Sequence, residues 1–523
     1  MLLALVLVAY WPALGGDFVR WDDQFYVFEN ELLREPSGWK AFWNPTERRT
    51  PQFYPLVFSS YWLEYRLWGL DARGYHAVNA ALHAANTALA FCLVRQWGFA
   101  TVTAFSAAAV FALHPVQVAS VAWISERKNV LSGFFLLLAF TSYWRAERRR
   151  PGWYVASFAS FVASLLSKTQ GVALPLSFLI AEWAAARCRG RRVAWSFWRD
   201  GVLYLLPFFA ASAVMALITV HFEHDRWPPL PYTGAERFLI ATNALLSYLR
   251  TILWPADLSP IYPKWELSTD NLGWWLAPVG LSLALAALWL WRNRVPPWMW
   301  WGLVHFCLGL LPVLGIVPFN FFTYAFVADH FLYLSMLGAG VALAVALQAA
   351  RTWYRTGVRV VALGLAVGLA ILSWHEAWHW RDNLSFWLHV RERDPRGFLA
   401  NFNLGLHFRR EGRWEDAARY FRLAAEARPE ADFPFRRYAE ALRLARGEQA
   451  VIEMATAWLG RAPNFAPGYL ERGISQERSG EKEQALSDYE RARRLAPLGS
   501  SVAAEAQQRL LDLRARSGSA TGP

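Results

Sequence analysis

Cysteine is scarce in this chain of 523 residues, and Cys92, Cys188 and Cys307 lie far apart in or beside apolar runs. Their spacing fits neither a metal site nor a disulfide framework. The sequence also has no P-loop, GxSxG, HExxH or Rossmann fingerprint in a supporting context. These absences argue against soluble chemistry on nucleotide sugars.

Lysine is also scarce, with five lysines against 48 arginines. A chain that uses Arg as its general cation keeps Lys where a compact ammonium point charge is needed. Lys128, Lys168 and Lys264 stand at the ends of apolar runs, so we single them out. The net charge of +12 comes from basic residues clustered in short loops, which is typical of membrane orientation signals. We therefore predict no nucleic-acid partner.

Apolar residues are abundant but unevenly placed. They make up 55% of the chain, against 18% charged residues, and form long runs only up to about residue 374. Each membrane span needs about 20 apolar residues, and the 30 Trp and 19 Tyr suit membrane–water interfaces. This distribution predicts an all-α chain with a polytopic membrane domain at residues 1–380, followed by a soluble region.

The apolar runs predict eleven spans. Met1 to Leu14 forms the first, with a start upstream left open and a cleaved signal peptide as the alternative. A long outer loop, 15–75, follows and is expected to contain short amphipathic helices. The run 237–254 is too polar to span, so we predict an interfacial or re-entrant helix there. The other ten spans are predicted near 76–95, 100–114, 129–145, 153–167, 171–186, 201–220, 273–291, 298–318, 330–350 and 358–375.

The basic loops orient these spans. With a cytoplasmic N-terminus, every strongly basic short loop falls on the cytoplasmic side, as the positive-inside rule requires. Those loops hold Arg95 and the arginines of 145–150, 187–192, 292–294 and 351–359. The Arg-rich composition indicates a high-GC bacterium. We therefore predict a multi-pass inner-membrane protein with a periplasmic C-terminal region.

The C-terminal region repeats with a period of 34 residues. Pro429, Pro463 and Pro497 recur at that spacing, and so do Gly405, Ala439 and Gly473. Small, aromatic and terminal Pro positions at this period are the signature of tetratricopeptide repeats, which stack as an α-solenoid. We predict this domain at 396–515, after a linker at 381–395 and before a disordered tail at 516–523. Its repeats are predicted at 398–431, 432–465 and 466–499, followed by a capping helix.

A pair of carboxylates, Asp22 and Asp23, leaves the first apolar run beside Arg20 and between large aromatics. One carboxylate can pair with Arg20 or another cation, which leaves the second free to accept a proton. The alternative is that both are loop charges that end a helix.

Several stretches of the chain resemble the TMTC family of transmembrane and tetratricopeptide-repeat proteins. They are Phe18 to Asp23, Tyr54-Pro55-Leu56, His114 to Lys128, Leu166-Ser167-Lys168, Leu258 to Pro263 and Ala328 to Leu334. The resemblance implies a GT-C type membrane domain that moves a sugar, mannose in the best-understood members. The donor would be a polyprenyl phosphate and the acceptor Ser/Thr of proteins, on the non-cytoplasmic side. Two positions depart from the family pattern, Ala119 for its usual Glu and His330 for its usual Arg.

This resemblance assigns roles to the predicted outer loops. Asp22 or Asp23 becomes the candidate base for the acceptor hydroxyl. The candidate phosphate contacts are Arg127, Lys128, Lys168 and His330, where positive charge stabilises the leaving group. Supporting positions are Arg20, His114, Glu126, Tyr262, Asp329 and Tyr333. We assign no metal ligand and no cofactor, and leave a divalent cation open. The repeats are predicted to bind the protein acceptor.

Alternatives remain for these residues. Glu126-Arg127-Lys128 also fits a solvated helix end, Lys168 a snorkelling anchor and His114 a capping residue. His375 and His379 fit an interface belt better than a zinc site. The polar group His221, Glu223, His224 and Asp225 is a weak metal candidate. A non-catalytic scaffold that recruits periplasmic proteins is the alternative function, favoured by Ala119 and His330. A transporter is disfavoured because no broken spans recur in matching halves.

Overall fold

The computed structural model describes residues 1–224, 230–317, 319–350 and 355–518, and every regular element in these ranges is a helix. Asp225, Arg351 and residues 519–523 of the predicted tail lie outside them. Two compact units divide the chain, Met1–Phe386 and the part from Trp387 onward. The all-α prediction is therefore confirmed for the described residues.

The described residues of the first unit form sixteen α-helices and the start of a seventeenth. They are α1 Leu2–Leu14, α2 Gly38–Phe42, α3 Pro55–Trp68, α4 Ala72–Gln96, α5 Thr101–Leu113, α6 Val118–Ala122, α7 Arg127–Ala146, α8 Pro151–Ser167, α9 Pro175–Cys188, α10 Trp195–Tyr204, α11 Leu206–His224, α12 Gly234–Leu253, α13 Leu276–Leu290, α14 Pro297–Leu310, α15 Met336–Ala350, α16 Arg355–Ala377 and α17 Asn383–Arg393. Short 3-10 turns join several of them, including Ile124–Glu126, Thr169–Ala173 and Asp329–Leu332.

Four helical stretches in the described residues are long and apolar enough to cross a membrane: Ala72–Gln96, Leu206–Glu223, Leu272–Leu290 and Val360–Trp380. A fifth crossing results if α5 and the adjoining Pro115–Ala122, which bend by 52°, count as one span. Several apolar helices therefore form a multi-pass unit. The total of eleven spans and the interfacial role of 237–254 stay predictions.

Helix α5 occupies the interior of the first unit. It is apolar on every side and buried along nearly all its length, as expected for a helix surrounded by others. It packs against α4, α15 and α16. Between α14 and α15 the backbones approach closely, because a Cβ at Gly302 would lie 2.6 Å from the Gly338 oxygen. In contrast α13 exposes Leu283 and Trp289, as a lipid-facing helix does.

Segment 328–335 interrupts the helices of this unit. The predicted spans 298–318 and 330–350 are wrong at this end, because α14 stops at Leu310 and α15 begins only at Met336. An irregular backbone in a membrane domain needs internal hydrogen-bond partners. Polar side chains from three other elements supply them. The contacts are Gln170 Nε2 to the Phe331 oxygen at 2.7 Å, Asn129 Nδ2 to the His330 oxygen at 2.8 Å, and His305 Nε2 to the Leu334 oxygen at 3.1 Å.

The first loop, 15–75, folds around its own aromatic core, as the prediction of short helices anticipated. It holds a π-helical turn at Gln24–Phe28, a 3-10 turn at Glu31–Leu33 and helices α2 and α3. Buried Tyr26, Phe42, Phe58 and Tyr61 pack together with Ile124 of a later loop. This shared core holds the Asp22–Asp23 turn against the 124–126 turn.

Up to residue 518, the second unit contains seven more helices after α17. They are α18 Phe398–Arg410, α19 Trp414–Ala427, α20 Asp432–Arg446, α21 Glu448–Arg461, α22 Ala466–Arg478, α23 Lys482–Leu495 and α24 Ser501–Gly518. Consecutive helices pack on each other, and the pairs begin at Phe398, Asp432 and Ala466. Residues 516–518 of the predicted tail continue α24, and most of the predicted linker is helix α17.

Candidate active site

Asp23 lies buried between two loops, with 1% of its surface exposed. Its Oδ2 accepts a hydrogen bond from the Val19 N–H at 2.9 Å, and its Oδ1 accepts one from the Ser125 N–H at 2.8 Å. Burial raises the pKa of this carboxyl to about 7, although the two backbone donors oppose the rise. Because both oxygens are engaged by backbone, Asp23 clamps the first loop to the 124–126 turn.

Asp22 has a different environment. Its side chain is 34% exposed, and its Oδ2 lies 3.3 Å from Lys128 Nζ. Partial burial raises the pKa of Asp22, Lys128 lowers it and Glu126 raises it further. Asp22 is therefore the member of the predicted pair that is both accessible and next to a cation. Its partner is Lys128, whereas the Arg20 guanidinium lies over Phe28 and 3.9 Å from Glu29 Oε1.

Glu126 contacts both lysines that the sequence analysis predicts to bind phosphate, Lys128 and Lys168. Its Oε1 lies 2.9 Å from Lys128 Nζ, and its Oε2 lies 3.5 Å from Lys168 Nζ. Burial by itself raises the pKa of Glu126, whereas His330, Lys128 and Lys168 lower it to about 2. The carboxylate is therefore ionised at neutral pH. His330 Nε2 stands farther off, 3.8 Å from Glu126 Oε1.

Lys168 and Asn129 are the remaining two side chains that lie together with Glu126. The Lys168 ammonium donates a hydrogen bond to Asn129 Oδ1 at 2.7 Å. Burial lowers the pKa of Lys168 to about 8, and Glu126 opposes the fall. We name Asp22, Glu126, Lys128, Asn129 and Lys168 the lysine cluster. The sequence reasoning missed Asn129, although it lies three residues after Glu126 and three residues is the spacing of one helix face.

Arg127 is directed away from the lysine cluster. Its guanidinium is fully buried and paired with both carboxylate oxygens of Glu64, one of them by Nη2 at 3.1 Å. The same guanidinium donates to Asn79, to Ser60 Oγ at 3.2 Å and to the Tyr75 carbonyl at 2.9 Å. With every donor directed at protein groups, Arg127 ties α3, α4 and α7 together, and the structure does not bring it to the predicted phosphate site.

Three other predicted positions meet at segment 328–335. Tyr262 donates a hydrogen bond to Asp329 Oδ1 at 2.8 Å. The Tyr333 hydroxyl accepts from Asn86 Nδ2 at 2.8 Å and lies 2.9 Å from His83 Nδ1. Asp329 and Tyr333 are thus anchors of this segment, which carries His330 to the edge of the lysine cluster.

The remaining candidates have packing or peripheral positions. His114 caps the 3-10 turn Pro115–Gln117, and its Nε2 lies 3.0 Å from the Ile252 carbonyl oxygen. That is the capping role that the sequence left as its alternative. The rings of His375 and His379 face each other edge-on at 5.6 Å. Asp225 and the side chain of His224, part of the weak metal candidate, lie outside the described residues.

Comparison with curated proteins gives two informative similarities. A protein O-mannosyl-transferase of Caenorhabditis elegans is 23% identical over 452 residues, 82% of this chain and 62% of that protein. The protein O-mannosyl-transferase tmtc2 of Xenopus laevis is 33% identical over 183 residues, 32% of this chain and 22% of its own length. The chain thus spans less than two thirds of these relatives. No family model matches.

Among solved structures, the Archaeoglobus fulgidus oligosaccharyltransferase with a tethered acceptor peptide is similar over 80% of this chain and 58% of its own. The TM-score is 0.38 and the identity 13%, so this similarity does not establish the fold. The sequence relatives are more informative. The predicted resemblance to the TMTC family is confirmed, because curated relatives carry that family's name.

Proposed function

Starting from this relationship to the TMTC protein O-mannosyl-transferases, we propose that the chain is a GT-C type membrane glycosyltransferase. It moves a sugar, which we take to be mannose, from a polyprenyl phosphate to Ser/Thr of proteins on the non-cytoplasmic face. The observation that carries this proposal is the position of the accessible Asp22 carboxylate, 3.3 Å from Lys128 Nζ in the lysine cluster. A base next to buried cations is what transfer from a lipid phosphate requires.

The reaction is a single inverting displacement. Asp22 accepts the proton of the acceptor hydroxyl while the hydroxyl oxygen attacks the anomeric carbon. The bond from that carbon to the phosphate oxygen breaks, and its electron pair stays on the departing polyprenyl phosphate. Lys128 and Lys168 stabilise the negative charge that develops there. The raised pKa of Asp22 makes it a stronger base than an ordinary carboxylate.

The contacts of each predicted residue support a separate proposed role. Asp22 is the base and Asp23 the clamp that holds its loop, because Asp23 accepts two backbone hydrogen bonds. Lys128 and Lys168 contact the phosphate, while Arg127 supports the fold through Glu64. His330 borders the site but carries less positive charge at neutral pH than the Arg usual in the family.

The second unit is proposed to recruit the protein acceptor. Its helix pairs follow the 34-residue period of the sequence, which supports a tetratricopeptide solenoid at 396–515. Such stacked repeats offer extended binding surfaces for peptides and proteins. The positions of the basic loops support a periplasmic second unit, attached to a membrane domain that we take to lie in the inner membrane.

The test is transfer of radiolabelled mannose from polyprenyl-phosphate-mannose to membrane and periplasmic proteins. Asp22→Asn should lower transfer at least about 100-fold, because Asn cannot accept the proton. Asp71→Asn is the matched control: Asp71 caps α4 at the end of the same loop, and Asn caps equally well. Wild-type and control levels of label should agree.

Other results identify the alternative. Equal transfer by the wild type and Asp22→Asn at equal protein level would remove Asp22 as the base. No transfer by the wild type with mannose or other sugars would instead favour the non-catalytic scaffold, and the partner of the repeats would become the question.

A further inference from the structure

Glu126 is the one carboxylate in the described residues that contacts both lysines of the cluster. Each of its oxygens takes one ammonium, Lys128 at 2.9 Å and Lys168 at 3.5 Å. Both lysine side chains are only 7% exposed, and Glu126 is 1% exposed. The exposed side of the cluster is Asp22, which contacts Lys128 alone among the lysines.

Asn129 fixes the orientation of the Glu126 carboxylate. Asn129 Nδ2 donates to Glu126 Oε2 at 2.6 Å, while Asn129 Oδ1 accepts from Lys168 Nζ at 2.7 Å. The same Nδ2 also lies within hydrogen-bond distance of Ser120 Oγ at 3.0 Å and of the His330 carbonyl oxygen at 2.8 Å, so its two N–H groups are shared among three acceptors. Neither Glu126 nor Lys168 can therefore rotate away without breaking a buried hydrogen bond.

A pair of buried lysines needs such a carboxylate. Burial and mutual repulsion both favour loss of a proton from one ammonium, and a neutral amine attracts no phosphate. One ionised carboxylate with an oxygen for each lysine keeps both charged and sets the spacing between them. A hydrophobic or neutral residue at 126 would remove both effects.

We propose that Glu126, oriented by Asn129, is the positioning residue that presents Lys128 and Lys168 as a charged pair to the donor phosphate. This role rests on the proposed glycosyltransferase function. It takes the place of the supporting role that sequence alone suggested. Because the phosphate gains charge as the sugar leaves, the pair acts on the transition state more than on the bound donor.

The experiment measures kcat and KM of the purified full-length protein with polyprenyl-phosphate-mannose and an acceptor protein. Glu126→Gln should lower kcat/KM for the donor about 100-fold and leave the acceptor KM within about twofold. Glu126→Asp, which keeps the charge on a shorter side chain, should recover at least about tenfold of that loss. A purely structural role would affect donor and acceptor constants together.

Glu64→Gln is the matched control. Glu64 is also a buried carboxylate paired with a cation, Arg127, but it has no contact with the two lysines. This variant should lower the melting temperature and keep the donor kcat/KM within about threefold of wild type. If Glu64→Gln reproduces the donor defect of Glu126→Gln, general destabilisation explains both and the positioning role is overturned.

Two further results separate the proposals. Wild-type transfer with an unchanged donor kcat/KM in Glu126→Gln overturns the positioning role and leaves the glycosyltransferase standing. Absence of wild-type transfer from any polyprenyl-phosphate sugar overturns both. If Glu126→Gln fails to fold, Asn129→Ala is the variant to measure. It keeps the charges of Glu126 and of both lysines but removes the hydrogen bond that orients the Glu126 carboxylate. The donor kcat/KM should therefore fall about tenfold. An unchanged value there rejects the proposal.

Discussion

Adjacent residues of one sequence motif have different contacts in this site. Asp22 and Asp23 diverge because one side chain is directed at Lys128 and the other at two backbone N–H groups. Arg127 and Lys128 diverge because consecutive residues of an α-helix are separated by about 100° around its axis. A carboxylate already occupied by backbone donors supports the loop, so the proposed base is Asp22, the more exposed carboxylate of the two.

These two pairs of neighbours show how far sequence alone predicts the role of a single residue. Residue type and predicted membrane face singled out the Asp22–Asp23 pair and the cations Arg127, Lys128 and Lys168 as candidates, and the structure brings Asp22, Lys128 and Lys168 together around Glu126. Which neighbour is directed into the site depends on long-range partners. Arg127 pairs with Glu64, which lies 63 positions earlier in the chain, and no local sequence pattern predicts that pairing. Asn129 was missed because an amide carries no charge that would single it out.

We expect the deprotonation of Lys168 to set the upper pH limit of transfer. Its pKa of about 8 means that it is mostly charged at pH 7 and loses its proton as the pH rises through 8. The titratable groups that act on it are Glu126, Lys128, Asp22 and His330, and it also contacts Asn129 and the ring of Phe331. We expect the donor kcat/KM to fall about tenfold between pH 7 and 9. Lys168→Arg, which stays charged, should flatten that decline even if its absolute rate is lower.

The control for this profile is Lys264→Arg. Lys264 is exposed and lies over the rings of Tyr232 and Phe326, apart from the lysine cluster. Its replacement should leave the pH dependence of the donor kcat/KM as in wild type. A Lys168→Arg profile that declines like wild type would show that another group titrates, and the phosphate contact would then be reassigned.

At the scale of elements, segment 328–335 is the feature that brings the site together. Its only regular element is the 3-10 turn Asp329–Leu332, yet it carries His330 beside Glu126 and offers the His330 carbonyl oxygen to Asn129. Apolar composition predicted a helix from residue 330, since hydropathy does not distinguish a buried turn from a buried helix. The side chains that satisfy its backbone come from elements far away in sequence. Helix positions elsewhere followed the apolar runs closely.

Gln170 provides a test of this arrangement. Its Nε2 donates to the carbonyl oxygens of Gly309 and Phe331, at 2.8 and 2.7 Å. Gln170→Leu keeps the volume but leaves two buried acceptors without these donors, at a cost of about 1–3 kcal/mol each. We expect a clearly lower melting temperature of the detergent-solubilised protein, with a loss of transfer that follows the displacement of His330.

Gln96→Leu is the comparison for that variant. Gln96 is a half-buried glutamine of α4 whose Nε2 makes one long hydrogen bond within the described part of the chain, to the Thr141 oxygen at 3.4 Å. Its loss should cost less than about 1 kcal/mol. Equal melting temperatures for the two variants would mean that Gln170 does not hold segment 328–335, and the order of that segment would need another cause.

At the scale of the whole molecule, the composition changes near residue 374, and the described residues form two compact units that meet in the chain at Phe386 and Trp387. Orientation in the membrane is a different kind of property. It follows from charge asymmetry across a bilayer, which the coordinates of one chain do not contain. The predicted topology has a cytoplasmic N-terminus, eleven spans and a periplasmic C-terminal unit, with α12 lying on the outer side without crossing.

Alkaline phosphatase fusions test that topology, because this reporter needs disulfides that form only outside the cytoplasm. Fusions after Asp270 and after Gly518 should be active, and a fusion after Gly190, in a basic loop, should be inactive at the same protein level. Activity after Gly518 requires an odd number of spans. An inactive Asp270 fusion would mean that α12 crosses and that the Pro255–Asp270 loop lies on the face opposite Asp22. That loop and the lysine cluster both contact segment 328–335, through the Tyr262–Asp329 hydrogen bond and through His330, 3.8 Å from Glu126 Oε1. This result would therefore contradict both the predicted topology and the proposed active site.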